Sequence, residues 1–278
     1  MKLACKLLTP KNMRMVDMRV PYDLKKTNHS RMKRGVYLLL IMLSFASCGQ
    51  YKLVSMSAIQ IPVDKRADAI QDEKIVALLK PYADSSAKIA NTVIGYSDQT
   101  MRVQRPEGLL SDFFADAMLS YVKNHYPADS VTIAVTNVGG LRNPIFKGPI
   151  TVGKIYELMP FENALMVLYL KGSAVQQMAD SISKYGGAVA GIRFGIDGNH
   201  ATHILVQDAP LQANKIYAVA ANDYIAKGND HFDALLQAVH VKTYPISLRR
   251  LIIEYIQQKT KQGQTIHQFL DERIHEDK

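Results

Sequence analysis

Cysteine is nearly absent from this 278-residue chain. Cys5 and Cys48 are its two cysteines, and both lie in the first fifty residues. Everything after Cys48 is therefore free of disulfides and of thiol chemistry. Long apolar runs are absent as well. "GVYLLLIMLSFAS", from Gly35 to Ser47, covers about thirteen residues, whereas a membrane-spanning helix needs about twenty. The chain has no GxSxG nucleophile turn, no GxGxxG loop, no GxxxxGK[ST] phosphate loop and no HExxH helix. Its eight histidines adopt no metal-ligand spacing. "GNHA" at 198–201 comes nearest, being superficially similar to the Gly-Asn-His-acid motif of two-metal phosphoesterases. Ala201 stands where that motif needs an acid, and Gly-Asn between two strand-like runs reads as a hairpin turn. No residue is singled out as catalytic or as a metal ligand.

Acidic residues are scarce at the N-terminus. Residues 1–47 hold ten Lys/Arg and two Asp/Glu, which leaves 24 basic and 23 acidic residues of the chain's 34 and 25. The remainder is close to neutral, so the formal charge of +9 is no sign of a nucleic-acid partner. Met32-Lys33-Arg34, the apolar run and the small pair Ala46-Ser47 make a signal peptide over 32–47. The cysteine that follows resembles a bacterial lipobox, with Phe45 where Leu is commoner. Cys48 would then carry lipid and hold the chain to the membrane at the periplasmic or outer-membrane side of the cell envelope. A plain secretory signal with an incidental cysteine is the alternative. Residues 1–31 lie upstream of a segment that belongs at an N-terminus. They read as a spurious or disordered extension, with a genuine extra segment as the alternative. Residues 49–66 read as a tether and 67–278 as the folded domain, long enough for one sizeable core.

The domain mixes both periodicities. "DEKIVALLKPYADSSAKIANTVI" and "PEGLLSDFFADAMLSYVKNHY" have apolar residues at helical spacing, the first with a kink expected at Pro81. "TVGKIYELM" reads as a short helix capped by Thr151, "SAVQQMADSISKYG" as one capped by Ser173 and stopped by Gly186, and "SLRRLIIEYIQQKTK" as one capped by Ser247. Strands are expected at "VTIAVT", "ALMVLYLKG", "KIYAVAAND" and "VHVKTYPIS", with a hairpin around "GNHA". No strict βαβ repeat appears. The expectation is one α+β domain with a mixed sheet and packed helices.

Three loops at strand ends carry binding chemistry. "NVGGLR" places Asn137, Gly140 and Arg142 after a strand; its glycines would permit positive φ, and the guanidinium offers a fork that matches phosphate. "MPFEN" places Phe161 and Asn163 just before a strand. "ANDYIAKGNDHF" ends a strand with Tyr224, Gly228 and Asp230. "MRVQRPEG" adds Arg102 and Arg105 ahead of a helix. Each is weak alone: a turn with a surface arginine, a core phenylalanine. Together they make a nucleotide-shaped inventory, with arginines for phosphate, aromatics for a base and a carboxylate for ribose hydroxyls.

In order, "NVGGLR", "ITVGKIYELMPFEN" and "ANDYIAKGNDHF" resemble the C-terminal, substrate-binding domain of bacterial and animal 5'-nucleotidases. That domain typically reads Asn-x-Gly-Gly-Ile-Arg, then Ile-Thr and Leu-Pro-Phe-Gly-Asn, then Asn-Asp-Phe-Leu-Ala-x-Gly-Gly-Asp-Gly-Phe. The resemblance implies that Arg142 contacts the phosphate side, helped by Arg102 or Arg105. It implies that Phe161 and Tyr224 sandwich the base, that Asn163 hydrogen-bonds it, and that Asp230 holds the ribose. Gly228 lets the last loop turn, and Asn137 organises the loop at the domain boundary. Asn229 and His231 replace family glycines. The family's two-metal phosphoesterase domain has no room ahead of residue 67. The resemblance therefore implies a nucleotide-recognition half, with no cofactor of its own. A separate metallophosphoesterase chain would bring two divalent metals. A nucleotide-binding surface lipoprotein without catalysis is the alternative.

Overall fold

The computed structural model describes residues 36–37 and 72–277, and its contacts divide the chain into 1–69 and 70–278. The signal peptide, Cys48 and the 49–66 tether lie outside the described residues, apart from Val36 and Tyr37, which are helical.

Residues 72–277 form an α+β body around a five-stranded mixed sheet. Its strands are β2 (Ile133–Thr136), β4 (Ala164–Lys171), β5 (Ala188–Ala190), β9 (Ile216–Asn222) and β10 (His240–Ser247), in the order β10-β4-β9-β2-β5. β2 and β9 run parallel, Ala134 facing Ala220, and the other pairs are antiparallel. Both faces of this sheet are covered, and the period of two sorts side chains between them. Leu165, Val167, Ala218 and Ala220 point to one core; Leu168, Leu170, Val219 and Ala221 point to the other. Apolar residues on both parities explain why these strands read as continuous apolar runs.

The first core is closed by α2 (Leu109–His125) and α5 (Leu248–Lys261), together with a small sheet of β1 (Val93–Ser97) and β3 (Gly148–Thr151). The second is closed by α4 (Gly172–Tyr185) and a four-stranded sheet. That sheet contains β6 (Ile192–Asp197), β7 (His200–Val206), β8 (Ala209–Pro210) and β11 (Ile274–Glu276), ordered β11-β6-β7-β8. α3 (Val152–Leu158) begins where expected, Thr151 Oγ1 accepting from the Lys154 amide at 3.3 Å. Ser247 likewise caps α5. α4 differs from expectation: it begins two residues earlier, with Lys171 at the cap position, and the Ser173 amide donates to the Ala213 carbonyl instead. Gly186, at φ +84, ends it as anticipated. "GNHA" forms the β6–β7 hairpin turn with Gly198 at φ +62. α1 (Glu73–Ala90) runs unbroken through Pro81, and none of its residues is buried.

Candidate functional site

β2 and β9 run parallel and end at the same edge of the sheet; β4, antiparallel to β9, begins there. Loops leaving the carboxyl ends of parallel strands open into a crevice that no strand fills. Three segments meet there: the loop after Thr136, the loop after Asn222, and Met159–Asn163 ahead of Ala164. They enclose a cavity of about 420 Å³. Asn137, Gly140, Arg142, Phe161, Asn163, Tyr224 and Asp230 all line it, over a floor of Phe114, Met159 and Leu248.

Chain segments distant in sequence are tied together by backbone and side-chain hydrogen bonds. The Arg142 amide donates to the Leu158 carbonyl at 2.8 Å, and Asn143 Nδ2 to the Glu157 carbonyl at 3.2 Å. This fastens the "NVGGLR" loop to the end of α3, from which "MPFEN" departs. Arg249, only 7% exposed, donates from Nε to the Met159 carbonyl at 2.9 Å and from Nη1 to Glu162 at 2.6 Å. Its guanidinium also lies 4.2 Å from the Tyr156 ring centroid. The start of α5 therefore holds the Phe161 loop in place.

The aromatic pair is poised at the rim. Phe161 is 48% exposed and Tyr224 42%, far from the burial of core aromatics. Arg142 sits over the Phe161 ring, 5.3 Å from its centroid, in cation–π contact. The two glycines of "NVGGLR" do not carry the positive φ expected of them. They form a 3₁₀ turn, Val138–Gly140, and their role is space. A Cβ on Gly139 would come within 3.8 Å of Asn137 and Asp230, and Gly140 faces Asn137. Side chains there would occupy the cavity.

The left-handed backbone lies in the last loop. Gly228 has φ +82, Asp230 φ +54 and His231 φ +67. The histidine at 231 holds a conformation that favours glycine, and its ring stacks on Tyr185 of α4 at 3.9 Å. Asn229 needs no such freedom; its Nδ2 donates to the Tyr224 carbonyl at 2.8 Å.

Asp230 is the polar centre. Its Oδ1 accepts from the Tyr224 hydroxyl at 3.0 Å and its Oδ2 from Asn137 Nδ2 at 2.7 Å. The hydrogen bond to Asp230 raises the Tyr224 phenol above its ordinary pKa. An ionised carboxylate has about four acceptor positions, so two remain, the number a vicinal diol requires. Behind it stands Asn222, which the sequence inventory does not single out. This 3%-exposed amide donates to Asn137 Oδ1 at 3.0 Å and to Thr136 Oγ1 at 2.8 Å, and its Oδ1 accepts from the Ile225 amide at 2.8 Å. Its signal was an asparagine ending an otherwise apolar strand. Arg249 had a fainter one, a cation on the buried stripe of a helix.

Arg102, Arg105 and Gly228 do not line the cavity. Arg102 lies over Phe146, 5.5 Å from its centroid, and Arg105 donates from Nη2 to the Tyr185 carbonyl. A single carboxylate, Asp230, faces the cavity. That donor set does not fit a pair of divalent metals, which need several carboxylates or imidazoles.

The arrangement matches known proteins. The chain is 28% identical over 228 residues to the trifunctional nucleotide phosphoesterase protein YfkN of Bacillus subtilis, covering 74% of this chain and 15% of that one. It is 30% identical over 203 residues to an apyrase of Aedes albopictus, covering 63% of this chain and 35% of that one. Among solved structures, a 5'-nucleotidase precursor from Thermus thermophilus superposes with a TM-score of 0.64 at 27% identity. That match covers 76% of this chain and 44% of the other. This chain thus spans well under half the length of these relatives. The family model for the 5'-nucleotidase C-terminal domain matches residues 87–237, from the end of α1 to the approach to β10. By that match and this fold, the chain belongs to the 5'-nucleotidase C-terminal domain family.

Proposed function

We propose that this domain is the nucleotide-recognition half of a 5'-nucleotidase-type phosphate-ester hydrolase. The base stacks between Phe161 and Tyr224, Asn163 hydrogen-bonds its edge, Asp230 takes the two ribose hydroxyls, and Arg142 faces the phosphate. The observation that carries this reading is the convergence of all five side chains on one cavity. Two half-exposed aromatics provide π-faces, each worth about 1–3 kcal/mol against a base. Arg142 lies over one of them, 5.3 Å from the Phe161 ring centroid, and its guanidinium offers the fork that suits phosphate.

Hydrolysis in this reading comes from a two-metal centre on a separate metallophosphoesterase chain. The cavity's own donors bind and orient; they supply neither the metals nor a nucleophile. The chain is exported and lipid-anchored through Cys48, which keeps nucleotide capture at the cell envelope.

Calorimetry of the full chain with AMP, adenosine and inorganic phosphate tests recognition. AMP binding that Tyr224→Ala and Arg142→Ala each weaken is the expected result; no heat with any nucleotide refutes it. Phosphate release from AMP in Mn²⁺, Zn²⁺ or Mg²⁺ should require an added metallophosphoesterase chain. Turnover by the isolated chain would overturn the division of labour.

A further inference from the structure

A second polar cluster lies away from the nucleotide cavity, where the start of α2 meets the C-terminal segment. One carboxylate oxygen each from Glu107, Asp112 and Asp271 lies within 4.8 Å of the others. Asp112 is 1% exposed, and its Oδ2 is buried without any hydrogen-bond donor. Such a charge is costly unless paired.

The nearby guanidinium is already engaged. Arg273 donates from Nε to Asp271 at 2.7 Å and from Nη1 to Asp116 at 2.8 Å, with further bonds to both carboxylates and to the Val189 carbonyl. It comes no closer than 3.8 Å to Asp112. Arg193 is 3.9 Å from Asp271. Two arginines thus face four carboxyl groups, Glu107, Asp112, Asp116 and Asp271, and the shared Arg273 reaches Asp112 only at ion-pair distance, without a hydrogen bond. Glu107 accepts only the Asp271 amide, at 2.9 Å.

We infer that Glu107, Asp112 and Asp271 form a binding site for a hard divalent cation of the Ca²⁺ class. With all four carboxyls ionised, the cluster exceeds its two arginines by two negative charges, which matches one divalent ion. The donors are all oxygens, with no imidazole or thiolate, which selects Ca²⁺ or Mg²⁺ over zinc and copper. Glu107 and Asp271 are half-buried, so an ion can enter past them to Asp112. Burial, opposed by Arg273 and reinforced by Glu107, pushes the Asp112 carboxyl up to about 8, so without an ion it holds its proton near neutral pH; a bound cation would displace that proton. The ion would join the first turn of α2 to the segment that carries β11, and so fasten the C-terminus to the fold. Its role would be structural.

The test is thermal unfolding of the full chain, stripped with EGTA and then titrated with Ca²⁺ or Mg²⁺. Ca²⁺ at a hundredfold excess over Kd should raise Tm by about 5–10 °C. Asp112→Asn should raise the Tm of the stripped protein by relieving repulsion, and should abolish the Ca²⁺ response. Glu107→Gln, at a half-buried position, is the second variant and should weaken the response at least tenfold in concentration. Terbium luminescence of the wild type, quenched by Ca²⁺, reads binding directly. If neither ion moves Tm and no terbium signal appears, the inference is wrong, and a proton shared between Asp112 and Glu107 relieves the repulsion. A Ca²⁺ response unchanged in both variants would also overturn it by placing the ion elsewhere.

Discussion

Asn222→Ala gives the sharpest test of how the cavity is held. The amide makes three buried hydrogen bonds, to Asn137, Thr136 and the Ile225 backbone, at 2.8–3.0 Å. Alanine replaces none of them. The Thr136 hydroxyl can rotate to another partner, but the Ile225 amide and Asn137 Oδ1 cannot, and Ile225 is fully buried. Two orphaned polar groups at about 1–3 kcal/mol each, less some relaxation, give a loss of about 2–4 kcal/mol. Urea unfolding should show this as a lower midpoint at constant slope. The same change frees Asn137, so Asp230 loses a fixed donor and AMP affinity should fall with stability. Asn222→Asp separates the two effects. It keeps the acceptor for Ile225 but cannot donate to Asn137, so binding should suffer more than folding. A variant Asn222→Ala within 0.5 kcal/mol of wild type, with unchanged AMP affinity, would refute the reasoning.

Other expectations follow from the same contacts. Arg142→Ala should weaken AMP about 10–100-fold, the value of a charge-assisted bond to phosphate, and leave adenosine nearly unchanged in calorimetry. Tyr224→Phe should retain base affinity, whereas Tyr224→Ala should lose about 5–150-fold, by the same measurement. Arg249→Ala should cost about 1–3 kcal/mol in urea unfolding by releasing the Met159 carbonyl, and Arg249→Lys should not rescue it, since one ammonium cannot reproduce the fork. The hydrogen bond to Asp230 raises the Tyr224 pKa in the folded state. Its stabilising effect is therefore complete below the ordinary tyrosine pKa and is lost as pH rises through the raised one. Tyrosine ¹³Cζ titration by NMR should show Tyr224 ionising late, and Asp230→Ala should return it to the ordinary range.

Local chemistry in the sequence determined much of this protein. Continuous apolar runs marked β2, β4 and β9 and helical apolar spacing marked α2 and α5, because each buries apolar faces and burial needs no knowledge of the partner. Caps at Thr151 and Ser247 are contacts within one turn and were legible for the same reason. The order of "NVGGLR", "MPFEN" and "NDYIAKGND" pointed to the seven site residues that do line the cavity.

What the tertiary structure decided is every relation across the chain. β1, β3 and β11 are short, and pairing over long separations makes them strands, so no local period announces them. Ser173 looked like a cap, but the backbone of residue 213 claimed its amide. Gly139 and Gly140 looked like hinges and proved to be clearance, a matter of what lies opposite them. Asn222, Arg249 and the Glu107–Asp112–Asp271 cluster owe their meaning to partners 85 to 87 residues away or, for Asp112 and Asp271, to opposite ends of the domain. Sequence periodicity reports which side of an element is apolar; only the packed fold decides which polar groups are left facing one another.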